Sequence, residues 1–343
     1  MHTYALLANP GHNRIYFESA MEIGQLELAA ILSRNGVSPK ISVMTDSALP
    51  GAILIETQEP LEEAELTAIA ASSLTYAFFE IAGEDLLRPI KLPPFECFPE
   101  SLNQILRYTG KTNEQFTRLM VNLAINACST DSEKKTLLDP MCGKGTTLFE
   151  GIIRGMNVVG TEVQSASFAD LQAFLIKYLK TGRFKHRIRR EKRSDSNGKK
   201  FADFFYVETA ATKEAFADDN KLTLQVYCAD TRRLPELVKK QCCDMLVCDL
   251  PYGVQHGSKT ASTGRLSRSP AELLEDSIAG WVNSMKSGAS IVLSFNEFTL
   301  KWDVAKEILE NAGLTVKAEA PFAGYLHRVD QSINRNIICA VKP

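Results

Sequence analysis

The sequence predicts an α/β protein whose main sheet is mostly parallel with an antiparallel edge, preceded by a small α+β domain. From residue 137 onward, short apolar segments alternate with helical patterns, which is typical of parallel strands covered by helices on both faces. A cluster of prolines in residues 88–99, together with a change in charge balance, indicates a linker. We therefore expect a first domain at residues 1–90 and a second at residues 91–343.

The bulk composition is typical of a cytoplasmic globular protein. Of the 343 residues, 45% are hydrophobic, yet no run approaches the roughly 18 apolar residues of a membrane-spanning helix. The N-terminal segment lacks the basic and apolar regions of a signal peptide. Eight cysteines include no C-x-x-C pair and lie mostly in apolar stretches, so we expect reduced core thiols and no metal site. The composition does not predict an oligomeric state.

The first domain begins with a strand at "YALLAN" and a helix at "RIYFESAMEIGQLELAAILSRNG" that ends at Gly36. A second helix in "AELTAIAASSLTYAFFEIAG" runs into a short strand. After the linker, "TNEQFTRLMVNLAINAC" has apolar residues at helical spacing, which predicts an amphipathic helix. Thr112 and Gln115 are spaced as a capping box at its start.

Strands and helices alternate through the second domain. The segments "LTVKAEAPFAGYLHRV" and "RNIICAVK" are predicted as two closing strands at an antiparallel sheet edge. In a parallel sheet, ligands bind beyond the carboxyl ends of the strands, so these ends are the expected position of a site. Earlier strands are predicted at residues 137–140, 157–163, 222–230, 244–250 and 289–295, with helices from Thr146, through "FADLQAFLIKYLK" and around residues 271–285.

The first strand of the second domain leads into "DPMCGKGTTLFEG", residues 139–151. Gly143 and Gly145 allow a tight turn and a close backbone approach to a ligand, and the following helix N-terminus offers free N–H groups. A nucleotide P-loop is disfavoured, because Lys144 is followed by Gly145 rather than by Ser or Thr. A dinucleotide fingerprint would have a third glycine where this chain has Leu148. The glycines alone leave the ligand open.

Acidic residues end four successive predicted strands: Asp139, Glu162, Asp230 and Asp249. Glu162 is placed to accept hydrogen bonds from ribose hydroxyls, and Asp230 to accept one from an adenine amine. Any one of these acids is equally well explained as a strand end or a helix cap. Four together form a polar rim over an apolar sheet, which suits a ligand that combines an amine, a ribose and a base. S-adenosylmethionine is such a ligand.

The motifs "DPMCGKGTTLFEG" and "DLPYG" resemble the cofactor and catalytic motifs of the RNA methylase family related to the THUMP-associated tRNA guanine-N2 methyltransferases. The resemblance covers most of the second domain and implies a Rossmann-like, S-adenosylmethionine-dependent methyltransferase sheet. It places Glu162 at the ribose of the cofactor, and Asp230 with Thr231 at the adenine. Lys144 replaces a serine that is common in the family. The resemblance implies that the methionine part is held by Asp139, Pro140, Cys142, Gly143, Gly145, Thr146 and Thr147.

The "DLPY" turn, residues 249–252, explains why a buried strand ends in an acid, a proline and an aromatic residue. The Asp249 carboxylate and the Leu250 carbonyl can accept the two hydrogens of an exocyclic amine, which leaves its lone pair directed at a methyl group. Pro251 fixes the turn. Tyr252 can stack on the target base, a contact worth about 1 to 3 kcal/mol in nucleic-acid complexes. We predict that these four residues are catalytic.

Positive charge is concentrated in the second domain. Residues 1–90 carry 4 Lys/Arg and 12 Asp/Glu, which leaves 35 Lys/Arg and 29 Asp/Glu for residues 91–343. Nine Lys/Arg lie in residues 183–200, a run that is ordinarily a solvated surface. We predict instead a separate arm that binds RNA phosphates, with the apolar segment 201–210 anchoring its far end as a strand. Its predicted RNA contacts are Arg187, Arg189, Arg190, Lys192 and Arg193.

The segment after "DLPYG", residues 254–270, contains three Lys/Arg and no acid. A loop of this length is usually functional or disordered, and a substrate lid is about as well supported as disorder. We predict RNA contacts from Lys259, Arg265 and Arg268. A lone histidine such as His256 is more often incidental.

The sequence therefore predicts an S-adenosylmethionine-dependent N-methyltransferase that acts on an exocyclic amine of structured RNA. Guanine N2 of tRNA or rRNA is the first candidate. Adenine N6 in DNA or RNA and a protein glutamine amide remain alternatives, because related D/N-P-P-Y sites act on all of them. A non-catalytic RNA-binding scaffold is the alternative from a different class, and the intact Asp249–Tyr252 turn argues against it.

Overall fold

Two β-sheets organise the chain, one before and one after the linker. The computed structural model describes residues 1–343 apart from residues 12–13, 45–48, 50, 84–85, 105–111, 195–197 and 253–268. The first sheet lies within residues 2–89 and the second within residues 136–341. The predicted α/β class, with a mostly parallel sheet and antiparallel edges, is confirmed.

The first sheet is antiparallel throughout its described strands. The predicted strand at "YALLAN" and both predicted helices are confirmed, whereas three further strands, the second, third and fifth, were not predicted. The strands are β1 (His2–Ala8), β2 (Lys40–Val43), β3 (Ala52–Thr57), β4 (Thr75–Gly83) and β5 (Leu86–Pro89), and the helices are α1 (Arg14–Arg34) and α2 (Glu63–Ala70). The strand order is β2-β3-β1-β4-β5.

Helix α3 (Glu114–Ala127) joins the two segments. It packs on α1, and the fully buried carboxylate of Glu27 in α1 accepts hydrogen bonds from Ser73 Oγ at 2.6 Å and from Asn122 Nδ2 of α3 at 2.6 Å. Burial raises the pKa of Glu27. Because a buried polar contact crosses between residues 1–90 and 91–343, the two segments share an interface, and their division into separate domains stays a prediction.

The start of α3 differs from the prediction. Asn113 is the N-cap, and its side chain accepts hydrogen bonds from the backbone N–H groups of Gln115 at 2.8 Å and Phe116 at 3.4 Å. The predicted capping box of Thr112 and Gln115 is therefore wrong. Asn is as good an N-cap as Thr, and the shift by one residue leaves the Thr112 hydroxyl available elsewhere.

The second sheet contains the predicted alternation of strands and helices. Its strands are β6 (Thr136–Asp139), β7 (Asn157–Glu162), β8 (His186–Ser194), β9 (Lys200–Thr209), β10 (Leu222–Cys228), β11 (Cys243–Asp249), β12 (Met285–Asn296), β13 (Thr315–Val316), β14 (His327–Arg328) and β15 (Asn334–Val341). Its helices are α4 (Thr146–Ile153), α5 (Ser165–Thr181), α6 (Lys213–Ala217), α7 (Leu234–Leu237), α8 (Pro270–Ser284) and α9 (Trp302–Asn311). The helix α9 was not predicted.

The strand order of the second sheet indicates where a ligand would bind. Among the described strands the order is β13-β15-β12-β11-β6-β7-β10-β9-β8, with β14 beside β15. The neighbours from β12 to β10 are parallel, and both edges are antiparallel. The chain moves from β6 to β7 on one side and returns to β11 on the other, so the strand order reverses between β6 and β11. Ligands bind in the crevice at such a switch point.

The basic run forms an edge strand rather than a separate arm. Strand β8 pairs antiparallel with β9 along its length, and β9 pairs antiparallel with β10. The prediction of an arm is therefore wrong, because the aromatic strand β9 gives the basic residues a partner to pair with. The predicted strand at 201–210 is confirmed as β9. Since β8 and β10 run in the same direction, β8 ends at the carboxyl-end rim of the sheet.

The C-terminal edge is more irregular than predicted. The segment "LTVKAEAPFAGYLHRV" contains only the two-residue pieces β13 and β14, which pair with opposite ends of β15. The prediction of one continuous strand there is wrong, and Pro321 and Gly324 lie in the connection between the pieces. Strand β15 itself is confirmed.

No helix in the described part of the chain is long and apolar enough to cross a membrane. Within the same residues, no three His, Cys, Asp or Glu side chains come together as a metal site would require.

Candidate active site

The loop after β6 adopts the tight turn that its glycines allow. Gly143 has φ +53° and Gly145 has φ +97°, both in the left-handed region. A Cβ on Gly145 would lie 2.9 Å from Leu171 Cδ1, so a side chain there is excluded. No atom lies within 4 Å of the position that a Cβ would take on Gly143. The turn is therefore packed against α5 at Gly145 and open at Gly143.

Glu162 ties this loop to the end of β7. Its carboxylate accepts a hydrogen bond from the Gly143 N–H at 2.8 Å and another from the Gln164 N–H at 2.6 Å. The side chain is 8% exposed, and burial raises its pKa. A carboxylate has about four acceptor positions, so the bonds from Gly143 and Gln164 do not fill all of them.

Asp139 lies under the loop at the end of β6. Burial, together with the nearby carboxylates of Asp249 and Glu162, raises its pKa to about 7, although hydrogen bonds from the Met141 N–H and from Thr147 act in the opposite direction. Strand β6 lies between β7 and β11, so Asp139, Glu162 and Asp249 end three neighbouring parallel strands.

The remaining residues of the first motif hold the loop in place. Cys142 is buried and donates its N–H to the Thr161 carbonyl at 2.9 Å, and the Thr161 hydroxyl donates to the Pro140 carbonyl. Thr146 and Thr147 are buried in the first turn of α4. Lys144 forms an ion pair with Asp170 at 2.7 Å, which accounts for a lysine at this turn position.

Asp230 follows β10, where its carboxylate is already engaged by a neighbour. Arg232 donates from Nε to Oδ1 at 2.9 Å and from Nη2 to Oδ2 at 2.6 Å. Although burial opposes ionisation, hydrogen bonds from Arg232 hold the pKa of Asp230 below its usual range. The Thr231 hydroxyl accepts a hydrogen bond from Trp281 Nε1 at 2.8 Å, so its side chain faces α8.

Asp249 ends β11 and is surrounded by hydroxyl groups. Tyr252 donates to Oδ1 at 2.7 Å and Ser294 donates to the same oxygen at 2.8 Å, while Thr112 donates to Oδ2 at 2.6 Å. Three of the four acceptor positions of the carboxylate are thereby filled. Among the residues that the structure describes, none fills the fourth position, which lies on Oδ2. Leu250 is buried next to it and donates its N–H to the Ser294 carbonyl at 2.8 Å, while Pro251 is exposed.

Tyr252 is anchored at its hydroxyl rather than left free. Arg335 Nε donates to Tyr252 Oη at 2.7 Å, and the guanidinium lies 4.3 Å from the centre of the Phe116 ring and 5.3 Å from that of Tyr252. Burial, followed by the charge of Asp249, raises the pKa of the Tyr252 hydroxyl. Base stacking by the Tyr252 ring stays a prediction.

Sequence reasoning missed Thr112, Ser294 and Arg335. Thr112 was assigned to a helix cap, although its place directly before α3 fits a site contact equally well. Ser294 is a buried hydroxyl within the apolar run 291–295 of β12, and Arg335 is a buried cation at the start of β15. A buried polar residue near a strand end is the signal that could have identified both.

The predicted RNA contacts divide between the two faces of β8 and a segment outside the described residues. Lys259, Arg265 and Arg268 belong to that segment. Strands β8 and β9 form the edge hairpin of the sheet. On one of its faces, Arg189 lies 4.2 Å from the centre of the Tyr206 ring, and Arg193 lies 4.6 Å from the centre of the Phe204 ring. Arg187 shares this face and pairs with Glu208 at 3.9 Å. Arg190 and Lys192 alternate to the opposite face, where Arg190 Nε donates to Gln172 at 2.9 Å.

A parallel sheet with a glycine loop at the switch point and acids at the ends of β6, β7, β10 and β11 defines the class of S-adenosylmethionine-dependent methyltransferases. A family model described as the RMKL-like methyltransferase domain matches residues 107–317, which is more than half of the chain. The chain belongs to this family and is a methyltransferase that uses S-adenosylmethionine. The predicted class, enzyme type and cofactor are thereby confirmed.

Comparisons with individual proteins add little to this assignment. No curated protein matches the chain. Among solved structures, TrmN from Thermus thermophilus is 12% identical with a TM-score of 0.46, covering 100% of both chains. Magnesium protoporphyrin IX methyltransferase from Synechocystis PCC 6803 is 15% identical with a TM-score of 0.39, covering 67% of this chain and 79% of its own. The 16S rRNA N2 G1207 methyltransferase from T. thermophilus is 15% identical with a TM-score of 0.32. The match covers 62% of this chain and 36% of the T. thermophilus enzyme.

Proposed function

We propose that this methyltransferase acts on an exocyclic amine of a base in structured RNA, with guanine N2 as the first candidate. The observation that carries the proposal is the Asp249 carboxylate, fixed by three hydroxyl donors with one acceptor position open, beside the loop that joins β6 to α4. An acceptor held in this way suits a donor such as an amine.

The residues of the loop and the strand ends fit the cofactor. The backbone is open at Gly143, Glu162 accepts a hydrogen bond from its N–H, and Asp139 ends the neighbouring strand β6. Asp139 would bind the ammonium of the methionine part, Glu162 the ribose hydroxyls, and Asp230 the adenine amine. Val163, which is 43% exposed directly after Glu162, offers apolar surface to the adenine ring. When bound, S-adenosylmethionine supplies an electrophilic methyl group on a positively charged sulfur.

The DLPY turn would orient and deprotonate the amine. One amine hydrogen bonds to the open position on Asp249 Oδ2, and the other bonds to the Leu250 carbonyl. Both hydrogens are then held in the turn, and the nitrogen lone pair points away from it. Once the nitrogen gains a methyl group it carries a positive charge, and Asp249 is placed to accept the proton that it loses. Holding the reacting groups in line accounts for most of the rate advantage of such a site.

The edge hairpin supports RNA as the substrate. Arg193 is at the rim end of β8, and Arg187 and Arg189 continue the row along the same face. Their guanidinium planes lie over aromatic rings of β9 or beside Glu208, which holds them toward solvent. Arginine in this setting binds phosphate oxygens and stacks on bases. Charged residues also protect an edge strand from pairing with other chains, which would account for the row without any RNA.

The test is methyl transfer from radiolabelled S-adenosylmethionine to total RNA, DNA and protein in parallel, followed by separation of the labelled nucleosides. We expect label in RNA, in an N-methylated base. Label in DNA would show that the substrate class is wrong, and label in glutamine would favour a protein amide. Cofactor binding without transfer to any fraction would favour a non-catalytic scaffold.

A further inference from the structure

Arg335 is a buried cation that neither the family match nor the sequence motifs assign to a role. It is 6% exposed at the start of β15, where its Nε donates to Tyr252 Oη at 2.7 Å. Although burial acts against its charged form, the charge of Asp249 raises the pKa of Arg335. His327 lies close to the same cluster, but burial lowers its pKa to about 4, so it is neutral at physiological pH. Arg335 is therefore the cation of this cluster.

The hydrogen bond from Arg335 fixes the direction of the Tyr252 hydroxyl. A guanidinium can only donate, so the tyrosine oxygen accepts from Arg335. The single proton of that hydroxyl is then given to Asp249 Oδ1, 2.7 Å away. Ser294 fills the second position on Oδ1, and Thr112 occupies one position on Oδ2.

We infer that Arg335 is a positioning residue that acts through Tyr252: it keeps Asp249 Oδ1 occupied and leaves Oδ2 as the oxygen that meets the target amine. This inference rests on the proposed role of Asp249 as the amine acceptor. Without Arg335 the Tyr252 hydroxyl can turn away, and the carboxylate loses one of the contacts that define its orientation. Arg335 is itself held in place, because its guanidinium lies between the rings of Phe116 and Tyr252.

A purely structural role makes a different prediction. If Arg335 only packs against Phe116 and balances the charge of Asp249, its removal costs stability or activity whether or not residue 252 carries a hydroxyl. If it acts through the hydroxyl, its contribution disappears once that hydroxyl is removed. A double-mutant cycle separates the two, because residues that act as a unit are not additive.

The cycle compares Arg335→Met, Tyr252→Phe and the double variant with the wild-type chain, using total RNA and radiolabelled S-adenosylmethionine. We expect Arg335→Met to lower kcat by about 10- to 100-fold, the usual weight of one hydrogen bond to a charged group. Cofactor affinity should stay within about twofold, because Arg335 does not touch the loop after β6. In the Tyr252→Phe background the same substitution should change kcat by no more than about twofold. Arg335→Lys should restore part of the loss.

Equal losses from Arg335→Met in both backgrounds would overturn the inference, as would an unchanged kcat in Arg335→Met. If Arg335→Met does not fold, Arg335→Lys takes its place in the cycle. We then expect Arg335→Lys to lower kcat when residue 252 is tyrosine and to leave kcat unchanged in the Tyr252→Phe background. The Asp249→Ala variant tests the proposed function separately: if it retains turnover, the amine-acceptor role fails whatever the cycle gives.

Discussion

The carboxylate of Glu162 accepts a hydrogen bond from the backbone N–H of Gly143 at 2.8 Å. This contact joins the end of β7 to the glycine loop after β6. The residue predicted to bind the ribose therefore also sets the shape of the loop predicted to bind the methionine part.

Glu162→Ala should weaken S-adenosylmethionine binding by about 10- to 100-fold, because it removes a charged acceptor and releases Gly143. Isothermal calorimetry measures this directly. Asp170→Ala is the matched control. It also removes an acid, but Asp170 lies in the neighbouring helix α5 and forms an ion pair with Lys144. Wild-type affinity in Glu162→Ala would contradict the role assigned to this strand end.

Asp230→Ala should weaken cofactor binding by about tenfold, because it removes the acceptor that we propose for the adenine amine. Arg232→Ala is the variant to compare with Asp230→Ala. It frees the carboxylate that Arg232 now engages through two hydrogen bonds, so cofactor affinity should stay equal or increase. A loss in Arg232→Ala as large as that in Asp230→Ala would mean that the ion pair shapes the site and that Asp230 does not accept from adenine.

Cofactor affinity should increase as the pH rises from about 6 to 8, because in the proposed site the ionised form of Asp139 binds the ammonium of the cofactor. Burial raises the pKa of Asp139 to about 7, so much of the free protein carries the protonated acid below that pH. The raised folded-state pKa also means that its contribution to stability is fully present below pH about 4 and is lost as the pH rises through about 7.

Asp139→Asn is the control for this pH dependence. Its cofactor affinity should be low and nearly independent of pH over the same range, and calorimetry in buffers of different ionisation enthalpy should show no proton release. A pH profile in Asp139→Asn identical to the wild type would assign the titration to another group.

Much of the second sheet follows from the sequence, because its signals are local. The glycine loop, the strand-end acids and the alternation of apolar strands with helices each lie within a short window. Two of the elements that were missed have weak local signals. Strand β2 has four residues, and β8 consists largely of charged residues that have low strand propensity, although Arg189 and Arg193 lie over aromatic rings of β9.

The contacts around Asp249 could not be derived in the same way. Ser294 is 45 residues away in sequence, and Arg335 is 83 residues away from Tyr252. They meet because β12 lies beside β11 and β15 lies beside β12, an order that depends on the complete sheet. Thr112 is even further from its partner in sequence, 137 residues from Asp249, and the sequence pattern assigned it to a capping box instead.

RNA binding should depend on one face of the edge strand. Arg189→Ser/Arg193→Ser removes two arginines that stack on Tyr206 and Phe204, and should weaken binding and flatten its salt dependence by up to about 0.7 to 0.9 log units per lost contact. Arg190→Ser/Lys192→Ser removes the same charge from the opposite face and should have a smaller effect. Filter binding at several salt concentrations gives both quantities, with cofactor affinity unchanged in each variant.

Equal losses in the two variants would indicate that the strand acts only through its net charge. Wild-type affinity and salt slope in both would show that β8 is a solvated edge, and would leave the segment 254–270 as the site of RNA contact.

The paired measurement of cofactor affinity and turnover in Asp249→Ala tests the central claim most directly. Asp249 is assigned to the target amine and the other strand-end acids to the cofactor, so one substitution should separate the two activities. We predict a dissociation constant for S-adenosylmethionine within about threefold of the wild type and a turnover at least about 100-fold lower. A large loss of cofactor affinity with turnover retained at saturating S-adenosylmethionine would contradict the account.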